Sequence, residues 1–347
     1  MTVWVLLTAM PVTKGHKALI QFADQYAGTI GTKSTVVVCT QPSEPFPLHR
    51  IQAVVEIADA LPNTRVNSVY HEMEQNADAP GFWDMWRGIL NGKGAKPGDT
   101  YIASEVYGKR LADEMNGKFM PYDPERSIMP IKATKVREDV YDMWSAIAPE
   151  FAKHLTRRIT IFGAESTGKT TLAKRLSAVT DSYFVPEYAR PYLENTVNEI
   201  TVSSMTDIWK GQSALQQSAQ MWEPHQFIIQ DTDLFSTVGY WEFPHWQDTI
   251  GAPPKGLVAD AIRQKSDLYL ITKSNIPFEA DPLRYGGDVR EGSDEYWVNV
   301  CEKYSLNYIV LDAEGLNRRA SEALPLIFNN FEAYSEPLRA YERKHNG

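Results

Sequence analysis

One octapeptide constrains this chain more than anything else in it. Residues 163–170 read Gly163-Ala164-Glu165-Ser166-Thr167-Gly168-Lys169-Thr170, a G-x-x-x-x-G-K-[ST] pattern with no mismatch. The glycines allow the backbone N–H groups of the loop, Glu165, Ser166 and Thr167 among them, to curl around phosphate oxygens. Lys169 can reach the β- and γ-phosphates, and the Thr170 hydroxyl can hold Mg²⁺. The helix expected from Thr171 onward points its positive end at the anion. An apolar strand over 159–162 enters the loop. A glycine-containing surface turn would leave the lysine unexplained.

A loop of this kind works with a second carboxylate for Mg²⁺, normally at the end of another buried strand. Residues 227–233, Phe-Ile-Ile-Gln-Asp-Thr-Asp, supply two acids. Asp231 is the better metal or water partner, which leaves Asp233 to hold substrate hydroxyls. The competing reading is that these acids cap a helix over 234–241. In Pro186-Glu187-Tyr188-Ala189-Arg190, Glu187 can accept a proton from an attacking hydroxyl, and Arg190 can hold a phosphate or the glutamate. The stretch 277–292 is rich in Asp, Arg and Gly and reads as a lid. Its Arg284 and Arg290 would close on the phosphates and neutralise their developing charge, and Asp281 would contact the substrate.

The loop begins 162 residues into a chain of 347, so there is room for a domain before it. Buried strands are expected at 3–7, 35–39, 66–70 and 100–104, with helices between them. A helical stretch at 140–154 follows, and the alternation restarts at 159. Further strands are expected at 183–185, 227–229, 268–271 and 308–311, and a long polar-faced helix at 203–220. Strand–helix alternation means parallel sheets with helices on both faces. The fold class expected is α/β, with two Rossmann-like parallel-sheet domains, 1–155 and 156–347. Net charge is −9, which argues against general nucleic-acid coating but permits a local basic pocket. Two distant cysteines, Cys39 and Cys301, rule out a disulfide framework or a cysteine zinc site. No run approaches the roughly 18 apolar residues of a membrane span. A soluble, reduced, cytoplasmic protein with no membrane and no DNA partner is expected. A homo-oligomer is compatible with the sequence.

A second phosphate motif lies between the first strand and the first helix. Thr13-Lys14-Gly15-His16 can bind triphosphate at the helix N-terminus. His16 could donate a hydrogen bond to a phosphate in the transition state, and Gly15 would let the nucleotide approach the backbone. Alone, four residues are a weak signal. Residues 131–137, Ile-Lys-Ala-Thr-Lys-Val-Arg, strengthen it by placing Thr134 and Arg137 three residues apart at a helix start.

At this point a resemblance is plain. The first half resembles nucleotidyltransferases with an [HT]-x-G-H motif and a distal I-S-x-T-x-x-R motif. Ser104-Glu105-Val106-Tyr107-Gly108 and Asp123-Pro124-Glu125-Arg126 resemble nicotinamide mononucleotide (NMN) adenylyltransferases more narrowly. The second half resembles ribosylnicotinamide kinase in the order of its motifs. Over residues 1–335 the chain is similar to the bifunctional NadR-type enzymes. The resemblance implies a transferase fold followed by a P-loop kinase fold, ATP as substrate and Mg²⁺ as cofactor. Nicotinamide riboside, NMN and NAD are the other small-molecule partners it implies. It also implies substrate contacts at Ser104, Glu105, Asp123 and Arg126. Thr13 is the allowed variant of the usual His. Lys132 replaces the usual Ser and can serve as a point charge. The chain starts at the first strand, without the helix-turn-helix that precedes this domain in regulatory members, so no repressor role is expected.

Aromatic side chains should stack the nicotinamide ring. Trp83 and Trp86 are candidates in the first half, Tyr240 and Trp241 in the second, although each could equally be core. Two other functions remain open: a deoxynucleoside kinase fused to a different nucleotidyltransferase, and a nucleotide sensor with little turnover.

Overall fold

A computed structural model of the protein describes residues 1–72, 77–196, 199–278 and 292–346. The chain divides into two compact units, Met1–His154 with Ser335–Gly347, and Leu155–Tyr334.

The first unit holds β1 (Val3–Leu7), β2 (Ser34–Thr40), β3 (Thr64–Tyr70), β4 (Thr100–Ala103) and β5 (Lys118–Pro121). They form one parallel sheet in the order β3-β2-β1-β4-β5. Strand β1 pairs with β2 in register, Val5 opposite Val36, and with β4 on its other side. Every residue of β1 and β2 is buried. A strand covered on both faces has no reason to alternate, hence the unbroken apolar runs. Strand β5 was not legible: it is four residues long, and Lys118 and Pro121 are exposed. Proline is tolerated there because the strand lies at the sheet edge.

The second unit holds β6 (Arg157–Phe162), β7 (Tyr183–Val185), β8 (Phe227–Asp231), β9 (Leu268–Thr272) and β10 (Tyr308–Leu311). These are also all parallel, in the order β10-β9-β6-β8-β7. In each sheet a central strand is followed directly by a phosphate-motif loop and a helix. Open α/β sheets bind ligands beyond the carboxyl ends of their strands, where the connections diverge to either side. Strands β1 and β6 occupy that place.

Three expectations need correction. The single helix at 140–154 is instead a 3₁₀ turn at Trp144–Ala146 and a short helix at Pro149–Leu155, separated where Ile147 is extended. A proline starts helices readily but does not continue them. Trp86 and Trp241 are 5 % and 1 % exposed and belong to the apolar cores of their units. Last, the second domain does not run to the C-terminus. A helix at Leu316–Asn346 passes through Pro325 and Pro337, and residues from Ser335 onward pack with the first unit. Two interior prolines signal breaks, each worth about 3 kcal/mol. They are overridden by a buried stripe at Ala320, Ala323, Ile327, Phe331, Ser335, Leu338 and Glu342, spaced three and four residues apart as a helix face requires. Among the described residues no helix is long and apolar enough to cross a membrane.

Candidate active sites

In the second unit the loop after β6 turns at Gly163, whose φ is +132°. A Cβ there would lie 2.6 Å from the Thr272 carbonyl oxygen, so only glycine fits. Gly168 turns the chain again at φ +80° and caps the helix Lys169–Val179. Thr167 closes the loop on itself, its hydroxyl donating to the Ala164 carbonyl at 2.8 Å and lying 2.7 Å from the Thr272 hydroxyl. Lys169 Nζ donates to the Ala164 carbonyl at 2.7 Å.

Thr167, Gly168 and Lys169, but not Gly163, line a cleft of about 530 Å³, a size that suits a nucleotide or a nucleoside. The structure brings Glu165, Ser166, Thr167, Gly168, Lys169, Thr170, Thr171, Glu187, Arg190 and Tyr240 together on it. Burial raises the pKa of Glu187, and the Asp231 charge adds to this, against the pull of Lys169 and Arg190. Asp231 ends β8 and is 3 % exposed. Burial raises its pKa too, opposed by a hydrogen bond from the Thr170 hydroxyl. Its Oδ1 is buried with no hydrogen-bond partner among the described residues.

Asp233 departs from the expectation that it is free for hydroxyls. It is 1 % exposed and caps the helix Leu234–Glu242. Oδ1 accepts from the Phe235 amide at 2.9 Å, and Oδ2 accepts from the Tyr269 hydroxyl at 2.7 Å. Burial pushes its pKa up to about 6. Replacing Asp233 by alanine is therefore expected to lower stability by about 1–3 kcal/mol, from the lost cap and an orphaned phenol. The nucleoside KM should move less than twofold. Denaturant titration together with initial rates checks both. Asp281, Arg284 and Arg290 lie outside the described residues.

Some of the cleft was invisible in the sequence. Leu193, Ile200, Met205 and Ile208 form an apolar wall beside Gln212, Ser236 and Thr237. Met205, Ile208 and Gln212 share one face of the helix at Val202–Ala219, which reads as polar because its buried face carries Gln and Ser. Arg319, wholly buried, was also missed. It donates to the carbonyls of Thr167, Lys273 and Ala313 and to the Asn275 side chain, tying the phosphate loop to two neighbouring loops. No local pattern marks such a residue, because three of these four partners are 44 to 152 positions away.

In the first unit Thr13 caps the helix Lys14–Thr29 through a reciprocal box with His16. The Thr13 amide donates to His16 Nδ1 at 3.0 Å, and the Thr13 hydroxyl lies 2.9 Å from the same nitrogen. An Nδ1 that accepts a proton bond leaves the hydrogen of the neutral ring on Nε2. Burial of the ring lowers its pKa to about 4, with Arg126 and Arg137 contributing. His16 is thus neutral at pH 7.

His16 faces a cleft of about 500 Å³ that Thr13, Gly15, Ser104, Glu105, Asp123, Arg126, Lys132, Thr134 and Arg137 also line. A Cβ on Gly15 would meet nothing closer than the Thr13 hydroxyl at 3.5 Å, so packing within the protein does not itself require glycine there. Arg137 donates to the Thr134 hydroxyl at 3.3 Å. Glu105 and Arg126 form an ion pair at 2.8 Å. The Asp123 carboxylate accepts from the Ser127, Ile128 and Met129 amides, which shape the loop it begins. Lys14, Trp83 and Trp86 do not line this cleft. Trp83 instead donates from its indole to the Ala77 carbonyl and carries the Arg110 guanidinium over its ring.

The AAA domain family model matches residues 158–319. The "Trifunctional NAD biosynthesis/regulator protein NadR" of Escherichia coli K12 is 24 % identical over 340 residues, covering 91 % of this chain and 80 % of that protein. Its namesake from Salmonella typhimurium LT2 is 25 % identical over 213 residues, covering 59 % and 50 %. The crystal structure of NadR protein in complex with NR superposes with a TM-score of 0.67 at 20 % identity, covering 96 % of both chains. The NadR complex with NAD and AMP-PNP gives 0.66 at 19 %, with the same coverage. Over nearly its whole length, the chain is similar to NadR in sequence and has the NadR fold.

Proposed function

We propose that the protein is a two-site NAD salvage enzyme, a ribosylnicotinamide kinase joined to an NMN adenylyltransferase. The observation that carries the reading is the pair of clefts, each at the head of a central parallel strand and each lined by a different phosphate motif. Similarity to NadR along 91 % of the chain supports the choice of substrates.

In the second unit the 5′-hydroxyl of nicotinamide riboside attacks the γ-phosphorus of ATP. Its proton passes to Glu187, and ADP leaves. Glu187 suits this role better than Asp231, since it borders the cleft and Asp231 does not. Asp231 and Thr170 fit a Mg²⁺ ion: a buried carboxylate oxygen lacks a partner beside a hydroxyl. Such a set, completed by phosphate oxygens, is what Mg²⁺ takes in phosphate sites. The ion would neutralise charge on the β- and γ-phosphates there. Lys169 holds the same phosphates, and Arg190 supports them. The apolar wall and Tyr240 receive the nucleoside.

In the first unit an NMN phosphate oxygen attacks the α-phosphorus of ATP, and pyrophosphate leaves. The nucleophile is already ionised, so no base is required. Rate comes from positioning and charge stabilisation. His16 donates from Nε2 to the transferring phosphate, while Thr134, Arg137 and Lys132 hold phosphate oxygens. A cytoplasmic setting, where ATP is available, suits both reactions.

A chromatographic product assay tests the reading. Nicotinamide riboside or NMN is incubated with ATP and Mg²⁺, with deoxyadenosine and deoxycytidine in parallel. NAD should appear from both nicotinamide compounds. Phosphorylation of the deoxynucleosides in preference to nicotinamide riboside would overturn the kinase assignment. Absence of product from every tube would leave a nucleotide sensor.

A further inference from the structure

The buried stripe on the final helix ends in a carboxylate where an apolar side chain would be cheaper to bury. Glu342 is 6 % exposed, and a buried carboxylate persists only when paired. Its partner is Arg137 of the first unit's cleft: Arg137 Nε donates to Glu342 Oε2. Two further donors of the same guanidinium are committed, Nη1 to the Met10 carbonyl and Nη2 to the Thr134 hydroxyl. The Tyr341 ring lies below it, 5.8 Å from centroid to Cζ, within cation–π range.

A guanidinium has five N–H donors in a rigid fork, and three are used here, one from each nitrogen. The protein therefore grips Arg137 by its Nε edge and by one hydrogen of each terminal nitrogen. The remaining two hydrogens, one on each terminal nitrogen, have no partner among the described residues. Glu342 also balances the charge of a guanidinium whose side chain is only 13 % exposed.

We propose that Glu342 is a positioning residue for adenylyl transfer, holding Arg137 in the orientation in which it meets the phosphates of ATP, with Tyr341 as the platform beneath. The inference rests on the adenylyltransferase reading of the first cleft. It assigns a role in that reaction to the last turns of the chain, some 200 positions beyond the rest of the motif.

The test compares the full chain with Glu342→Gln, Glu342→Asp and Arg137→Ala, assaying both reactions of each. Glu342→Gln should lower kcat/KM for adenylyl transfer about tenfold to a hundredfold, chiefly through KM for ATP, as expected when a phosphate-binding group is misplaced. Glu342→Asp, which keeps the charge, should recover most of the loss. Phosphorylation of nicotinamide riboside should stay within twofold throughout. Transfer by Glu342→Gln that is unchanged or faster would overturn the inference. So would a loss of kcat at constant KM in both Glu342 variants, which is the mark of a merely structural contact. If Arg137→Ala is itself fully active, the adenylyltransferase assignment of the cleft fails. If Arg137→Ala is impaired and Glu342→Gln is not, only the role of Glu342 fails.

Discussion

Lys169→Ala is expected to lower phosphorylation of nicotinamide riboside by about 10³-fold or more, while NMN adenylylation stays within twofold. Phosphoryl transfer offers the protein little covalent chemistry, so nearly all its contribution is positioning and charge stabilisation, and one well-placed cation is worth 10³–10⁵-fold. Lys169 Nζ donates to the Ala164 carbonyl, inside the loop whose ligand it is expected to meet. Removing the ammonium also removes the charge that opposes the upward pKa shift of Glu187. The residual kinase activity should therefore show an acid limb displaced to higher pH. Equal loss of both activities would show that the substitution acts on folding. An unaffected kinase would remove the octapeptide from catalysis.

His16→Ala should lower adenylyl transfer by about 10²–10³-fold in kcat, the usual cost of one preorganised donor to a developing phosphate charge, with the kinase intact. The pH dependence separates this role from acid catalysis. With the ring's pKa lowered to about 4, His16 should donate as a neutral imidazole across the physiological range. Adenylyl transfer by the parent protein should then show no break near pH 6.5. A break there that vanishes in His16→Gln would mean the imidazolium is the working form. The same shift has a stability consequence of fixed sign. Between about pH 4 and 6.5 the unfolded chain binds the proton and the folded chain does not. Unfolding free energy therefore rises with pH in that window and loses this contribution as pH falls through it. Denaturant titration of parent and His16→Gln at pH 5 and 7.5 checks this, the variant showing the weaker pH dependence.

Much of the architecture was legible because its signals are local. A strand buried on both faces writes an apolar run, as at Val3–Leu7 and Leu268–Thr272. A phosphate loop writes its glycines where the backbone turns at positive φ, at Gly163 and Gly168. Asp233 was misjudged because a helix cap and a substrate ligand are the same residue type in the same place. Only the Tyr269 hydroxyl, 36 positions away, decides between them. Trp86 and Trp241 were ambiguous for a related reason: an aromatic ring fills a core or stacks a ligand with the same atoms.

The sequence by itself determined the two parallel α/β units, the order of the phosphate motifs and many of the side chains that line the two clefts. Each of these follows from chemistry within about ten residues of chain. Tertiary structure alone decided which carboxylates line each cleft, what holds Thr167 and Arg137 in place, and which unit the last turns of the final helix pack with. Arg319 reaches back 152 positions to Thr167, and Glu342 reaches back 205 to Arg137. The two prolines of the final helix argue locally against the element that carries both residues. The helix persists because its stripe is buried along its length, and no window short enough to read as a pattern contains the surface that buries it.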